Sequence, residues 1–193
     1  TQMIAKGLDF PDVTLVGVIN ADTALHFPDF RAAERTFQLV TQVAGRTGRG
    51  ERGGRVLVQT FSPDHPAIVA AMRHDYAMFA ENELPSRRSL HYPPFASMIR
   101  LVIRGPSEPT AGQFAETVAG HLNAVLANAE GPWRVLGPAP APIPKLRGEY
   151  RFQIQLHGAI GAALRDAVRG TMAALKPPDE VQWIADVDPL DML

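Results

Sequence analysis

The chain has 193 residues, of which 46% are hydrophobic and 20% are charged, and its formal net charge is −1. No apolar run reaches the ~20 residues that a transmembrane helix needs, and the absence of cysteine excludes a disulfide framework and a thiolate metal site. A net charge near zero also argues against non-specific attraction of nucleic acid to the whole surface. We therefore expect a cytoplasmic protein without a membrane segment, and its length allows one large core or two small ones.

Charge is distributed unevenly along the sequence. Residues 31–55 contain six arginines and two glutamates, a local net charge of +4, whereas residues 177–193 contain five acidic residues and no lysine or arginine. Any polyanion would therefore approach the chain near residues 31–55 and away from its C-terminal tail.

The first third of the sequence predicts a parallel βαβ unit. Residues 14–19 form a continuous apolar run, which is typical of a strand buried on both faces. Asp29 is suited to cap a helix over residues 30–43, which carries apolar side chains on one side. A glycine-rich stretch, residues 45–54, ends that helix and leads into a second buried strand over residues 55–61. Two buried strands separated by one helix indicate a parallel sheet.

Helical material is predicted over residues 65–90, and Pro85 should break or kink it because proline lacks the backbone N–H. The segment His91-Tyr-Pro-Pro94 is a strong interruption and is placed at the domain boundary. The sequence therefore predicts three segments: residues 1–63, a helical connector over 64–95, and a C-terminal α+β domain over 96–193.

The C-terminal segment predicts a split βαβ arrangement. Alternating or helical spacing of apolar residues places strands near residues 99–104, 133–136, 150–156 and 181–187, and helices over residues 114–125 and 160–175. Four prolines at alternating positions, Pro138 to Pro144, are interpreted as an extended connection. The order β-α-β-β-α-β predicts a ferredoxin-like sandwich of one sheet and two helices.

The segment with the clearest chemistry is Gln42-Val-Ala-Gly-Arg46-Thr-Gly-Arg49. It places two arginines three residues apart on a glycine-containing loop between a helix and a strand. Arginine presents a planar fork that suits phosphate oxygens, and glycine lets the backbone approach a ligand closely. Such a loop can supply an arginine finger in phosphoryl transfer. Taken alone, the motif favours the alternative of a basic surface turn, because short motifs often match by chance.

The remaining motifs favour the functional interpretation. Residues 1–11 resemble motif V of superfamily 2 helicases, residues 42–49 resemble motif VI, and residues 28–38 are similar to the run that links them. Further similarity is found in Arg87-Arg88, Tyr92-Pro-Pro-Phe95, Leu136 to Pro142 with Lys145, and Asp186-Val-Asp-Pro189. On this ordered set, the sequence resembles the C-terminal portion of the PriA family, the bacterial primosomal replication-restart helicases.

The resemblance implies that residues 1–63 are the remainder of a RecA-like helicase lobe that binds ATP and Mg²⁺ in the full-length protein. Arg49 would be the arginine finger, Arg46 a second phosphate contact and Gln42 a polar organiser of the loop. Gly7 and Asp9 would couple the state of the nucleotide to the DNA track. For Asp9, the alternative of a turn residue before Pro11 is equally supported.

The resemblance also implies contacts with DNA and with proteins. Thr1 and Gln2 would lie near the DNA backbone, and the implied partners are forked and single-stranded DNA, single-strand-binding protein and primosome proteins. Family members carry a zinc region upstream of motif V. The present sequence contains no cysteine and no Gly-x-x-x-x-Gly-Lys-Ser/Thr phosphate loop, so we expect zinc only upstream and expect the chain to be a fragment.

A second candidate site lies in the C-terminal segment, where the cations Lys145, Arg147 and Arg151 are interleaved with the aromatic residues Tyr150 and Phe152 and are interrupted by Glu149. The cations suit a phosphate backbone. Tyr150 and Phe152, however, share the alternate spacing of Ile154 and Leu156, which favours a place for both rings in the core. The six histidines show no metal-ligand spacing, so no metal site is predicted.

Two functions remain open. The first is an ATP-driven 3′–5′ helicase motor that restarts stalled forks, of which this chain is part. The second is a DNA- and protein-binding module without ATPase activity. An intact phosphate loop upstream of Thr1 would support the motor.

Overall fold

The computed structural model describes residues 13–45, 53–129, 131–190 and 192, and the chain divides into two compact units, Thr1–Ser86 and Arg87–Leu193. The predicted three-segment division, with limits at residues 63 and 95, stays a prediction. From the N-terminus the first six elements are β1 (Leu15–Val18), α1 (Asp22–Leu25), α2 (Ala32–Ala44), β2 (Arg55–Val58), α3 (Pro66–Met72) and α4 (Tyr76–Leu90). The following six are β3 (Ser97–Gly105), α5 (Glu108–Ala127), β4 (Arg134–Leu146), β5 (Glu149–Gly158), α6 (Ala163–Ala174) and β6 (Gln182–Val187). None of the described helices is long and apolar enough to cross a bilayer.

In the first unit, β1 and β2 pair in parallel, with Leu15 opposite Arg55 and Val18 opposite Val58, as the βαβ pattern predicts. The prediction that both strands are buried on both faces is wrong, because Leu15 is 58% exposed and Leu57 is 57% exposed. The reason is that the core of this unit, to which α2 and α3 contribute, includes Val18 and Val58 and therefore lies on one face of the two strands.

The helix boundaries of the first unit also differ from the predictions. Asp29 is not the N-cap, since α2 begins at Ala32; its carboxylate accepts a hydrogen bond from the Arg31 amide at 2.9 Å and pairs with Arg35 at 3.0 Å. Pro85 does not end α4 and lies inside it. The break falls earlier, between α3 and α4, where His74 has a φ of +53°.

In the second unit, four antiparallel strands form a sheet in the order β4-β5-β3-β6. Together with the two crossover helices, this order is that of the predicted split βαβ arrangement. The buried side chains of α5 and α6 pack on the side of β3 and β5 that carries Ile99, Leu101, Ile103, Ile154 and Leu156, which form the centre of the larger core. We call the opposite side of this sheet the distal face.

The proline run is not a connection. It forms the greater part of β4, which spans 13 residues and pairs with β5, with register shifts after Leu136 and Pro140. Proline is tolerated there because β4 is an edge strand, whose outward N–H groups need no partner strand.

Two further expectations for this unit are wrong. The alternation of apolar Ile99, Leu101 and Ile103 with Arg100, Val102 and Arg104 predicts that β3 is half-exposed. Instead, Arg100 and Val102 on its distal face are 7% and 9% exposed, because β3 is a central strand with β5 on one side and β6 on the other. Ile160 is exposed and precedes the last helix, which begins at Ala163.

Candidate functional site

Of the predicted nucleotide-site residues, the structure places Gln42, which is exposed near the C-terminal end of α2. The other residues assigned to motifs V and VI lie outside the described residues, namely Thr1, Gln2, Gly7, Asp9, Arg46 and Arg49. Their roles therefore stay predictions.

The carboxyl edge of the β1–β2 sheet is held together by Asp22. Its carboxylate accepts hydrogen bonds from the Phe61 amide at 2.9 Å and from the Thr60 hydroxyl at 3.0 Å. The bond from the Phe61 amide is the main cause that lowers the pKa of Asp22 below its ordinary value. Asp22 thus ties the residues after β2 to the start of α1, which is a structural function.

The three predicted DNA-binding cations of the second unit lie at the β4–β5 hairpin. Lys145 pairs with Tyr150 and Leu146 with Glu149, which leaves a two-residue loop of Arg147 and Gly148. Both loop residues have positive φ angles, +53° and +88°. A type I′ turn requires this combination, and it matches the twist of the two strands.

The hairpin does not bring the three cations together. Lys145 is paired with Tyr150, and its Nζ lies 3.1 Å from the tyrosine hydroxyl and 4.2 Å from the ring centroid. Because residues that pair across strands share a face, and Phe152 contacts the core on the side of Tyr150, Lys145 lies on the helix side. Arg151, which alternates with these aromatic residues, lies on the distal face.

On the distal face, a groove of about 340 Å³ is formed by the hairpin together with β3 and β6. Its floor includes the aliphatic side chains of Val102 and Ile184. We call it the distal groove; it is lined by Arg100, Val102, Arg104, Leu146, Arg147, Glu149, Arg151, Ile184, Ala185 and Asp186. Four arginines and two carboxylates therefore line one groove, which gives it a net positive charge.

Two of these arginines have carboxylate partners. Arg100 contacts Asp186 at 3.2 Å, and Arg104 contacts Glu149 at 3.4 Å and donates to the Gln182 side chain at 2.8 Å. Within the part of the chain that the structure describes, the side chains of Arg147 and Arg151 form neither an ion pair nor a hydrogen bond. The unpaired positive charge of the groove is therefore at its hairpin end.

Sequence reasoning did not identify Arg100 and Arg104 as site residues. Their spacing carried a signal, since both alternate with the core residues Ile99, Leu101 and Ile103 and so share one face of β3. That this face also carries Arg151 depends on the strand order, which brings together residues 47 positions apart in the chain.

A buried histidine fixes the segment that precedes β3. The Nδ1 atom of His157 lies 3.3 Å from the carbonyl oxygen of His91 and donates to it, and its ring packs edge-on against Tyr92 with centroids 5.3 Å apart. Burial is the main cause that lowers the pKa of His157 below its ordinary value, so the ring is neutral at pH 7. His157 is a structural residue, and the described residues contain no group of three or more His, Asp or Glu side chains that could hold a metal.

Comparison with known proteins identifies the second unit. The family model described as the primosomal protein N C-terminal domain matches residues 88–190. The replication restart protein PriA of Bacillus subtilis is 47% identical over 153 residues, which cover 79% of this chain and 19% of that protein. The proteins of the same name from Treponema pallidum and Haemophilus influenzae are 42% and 38% identical over all 193 residues, which cover 29% and 26% of their lengths.

The chain thus spans less than a third of the length of these relatives, and the family match covers nearly the whole of the unit that carries the distal groove. On the family match and on these identities, the chain belongs to the PriA family of replication restart proteins.

Proposed function

We propose that the chain acts in replication restart as the C-terminal, DNA-contacting part of an ATP-dependent 3′–5′ helicase that recognises forked DNA. The name of the relatives, replication restart protein, supports the process. The observation that carries DNA contact is the placement of Arg147 and Arg151, two arginines without ion-pair partners among the described residues, at one end of a positively charged groove.

The physical basis of the contact is phosphate recognition. A guanidinium group donates two parallel hydrogen bonds to a phosphate, and neutralising phosphates releases counterions into solution. None of the residues that line the distal groove is aromatic, so the groove offers no surface for base stacking. Binding is therefore independent of base sequence, since phosphate contacts carry no base information. Lys145, engaged with Tyr150 on the helix side, contributes less.

In this proposal the first unit is the remainder of a RecA-like lobe. Arg49 and Arg46 contact the phosphates of ATP, and Gln42 organises their loop from the end of α2. Gly7 and Asp9 couple the nucleotide to DNA, and Thr1 and Gln2 approach its backbone. The phosphate loop and the Mg²⁺ ligands are supplied from outside residues 1–193, as is any zinc region, and the partners are single-strand-binding protein and primosome proteins.

A second candidate function is a DNA- and protein-binding module without ATPase activity. It is favoured for the chain by itself because the 193 residues contain no phosphate-loop motif. An ATPase assay separates the candidates: in a longer protein that includes the upstream region, Arg49→Ala lowers kcat by about 10³-fold if Arg49 is an arginine finger. An unchanged kcat would show that the loop containing Arg49 has a structural role, and the binding module would then be the remaining candidate function.

DNA contact is tested by fluorescence anisotropy with the 193-residue chain and forked DNA at low salt. Replacing Arg147 and Arg151 together by glutamine is expected to weaken binding at least tenfold, because hydrogen bonds to charged groups contribute about 1.5 kcal/mol or more each. The matched control replaces Arg165 and Arg169, which are exposed on α6 on the helix side of the sheet. Equal effects of the two double variants would contradict a localised contact.

A further inference from the structure

The distal groove contains an arrangement of charges that sheet stability alone does not favour. Arg104 of β3 and Arg151 of β5 are directly opposite each other in the antiparallel register. Side chains that pair in this way share a face and have Cβ atoms about 5 Å apart, and like charges in such a pair are destabilising. Deviations from the local rules of stability are expected where function has selected them.

A single carboxylate moderates this repulsion. Glu149 lies two residues before Arg151 on the same face of β5, and its Oε2 atom is 3.4 Å from Nη1 of Arg104. The Nε atom of Arg104 is buried and has no hydrogen-bond partner among the described residues, so the present contacts do not fully satisfy this guanidinium group. Glu149 pairs with Arg104 alone, so the charge of Arg151 has no ion-pair partner among the described residues and a positive charge is left between the two strands.

We propose that Arg104 and Arg151 form a two-arginine clamp for one backbone phosphate of a nucleic-acid strand, and that Glu149 competes with this phosphate for Arg104. The clamp rests on the proposed DNA contact and deepens it. Arg147 at the hairpin tip contacts one phosphate of the strand, and the clamp binds the phosphate that follows. A phosphodiester carries one negative charge and two free oxygens, which matches two guanidinium forks in opposition.

Nucleic acid is favoured over an acidic peptide as the occupant because the arginines follow one another along the groove. Arg147 lies at the turn and Arg104 and Arg151 lie further along the same groove, so a strand that contacts the turn extends over the clamp. A repeating phosphate backbone supplies a negative charge at each of these positions, whereas a peptide does so only if its sequence does.

The competition by Glu149 gives the decisive test. In the 193-residue chain, Glu149→Gln is expected to tighten the binding of an oligonucleotide by about two- to fivefold, the range of a partly exposed ion pair that no longer has to be displaced. The matched control is Glu116→Gln, which removes the same charge from an exposed position on α5 and is expected to change affinity by less than twofold. Arg104→Gln is expected to weaken binding by about fivefold or more.

The binding measurements distinguish failure of the clamp from failure of the proposed DNA contact. Weaker or unchanged binding by Glu149→Gln in a protein that unfolds at the normal urea concentration would overturn the clamp, as would equal tightening by Glu116→Gln. If Arg147→Gln weakens binding while the variants at Arg104 and Glu149 do not alter it, the clamp fails and the proposed function stands. If the wild-type chain binds no oligonucleotide but binds an acidic peptide through Arg104, both the clamp and the proposed DNA contact fail.

Discussion

Arg147 has a backbone conformation that other residue types adopt at lower cost. A substitution there can therefore separate the contribution of Arg147 to stability from its contribution to DNA binding. Its φ of +53° lies in the left-handed region, which costs a residue with a Cβ roughly 1–2 kcal/mol. Asparagine tolerates this conformation better, and Asn-Gly is the preferred pair in type I′ hairpins. Because asparagine recovers part of the cost, Arg147→Asn is expected to stabilise the protein by about 0.5–1 kcal/mol. That corresponds to a rise in Tm of roughly 1–4 °C for a chain of this size.

The same substitution removes the cation at the tip of the hairpin. We expect affinity for forked DNA to fall by about tenfold or more, the loss of one charge-assisted hydrogen bond. Thermal unfolding and fluorescence anisotropy on the same preparation measure both effects, and Gly148→Ala, which introduces a Cβ at a φ of +88° in open space, is a control that strains the turn without changing charge. A variant that is less stable, or one that is more stable and binds normally, would refute the assignment of Arg147 as a residue maintained for binding.

Two further predictions concern the stability of the second unit. Gly158→Ala places a Cβ in steric conflict with the Trp133 ring and is expected to lower the free energy of unfolding by about 1–3 kcal/mol. Gly170→Ala in α6 meets no atom within 4 Å and should raise it by about 0.5–1 kcal/mol; urea unfolding compares the two variants, and equal effects would exclude the ring contact. Stability should fall as the pH decreases below about 6.5, because burial lowers the pKa of His157 in the folded state and the unfolded chain then binds more protons; a slope that is the same in His157→Gln would show that another group is responsible.

The alternation of apolar residues was sufficient to predict the arrangement of the second unit. Ile99, Leu101 and Ile103 in β3 and Ile154 and Leu156 in β5 are spaced for one face, and all are buried in the core that α5 and α6 complete. The same criterion missed the proline run, because a residue without an N–H is locally a poor strand former and is accommodated only through the edge position of β4.

The candidate site was predictable only in part. Arg147 and Arg151 lie close together in the sequence and in the groove, but Lys145 does not join them. The turn type fixes Lys145 opposite Tyr150 and so determines its face, and charge spacing alone does not contain that information. Arg104 reaches Arg151 through the strand order, a long-range property of the sheet that is absent from any local segment.

The most direct test of phosphate binding on the distal face is the salt dependence of binding to single-stranded DNA. Arg147 contacting one phosphate and the clamp of Arg104 and Arg151 contacting a second predict a log–log slope of about −1.4, at roughly −0.7 per phosphate neutralised on a single strand. Replacing all three by glutamine should bring the slope close to zero while Lys145→Gln leaves it nearly unchanged. A wild-type slope near zero, or a steep slope that persists in the triple variant, would contradict the account.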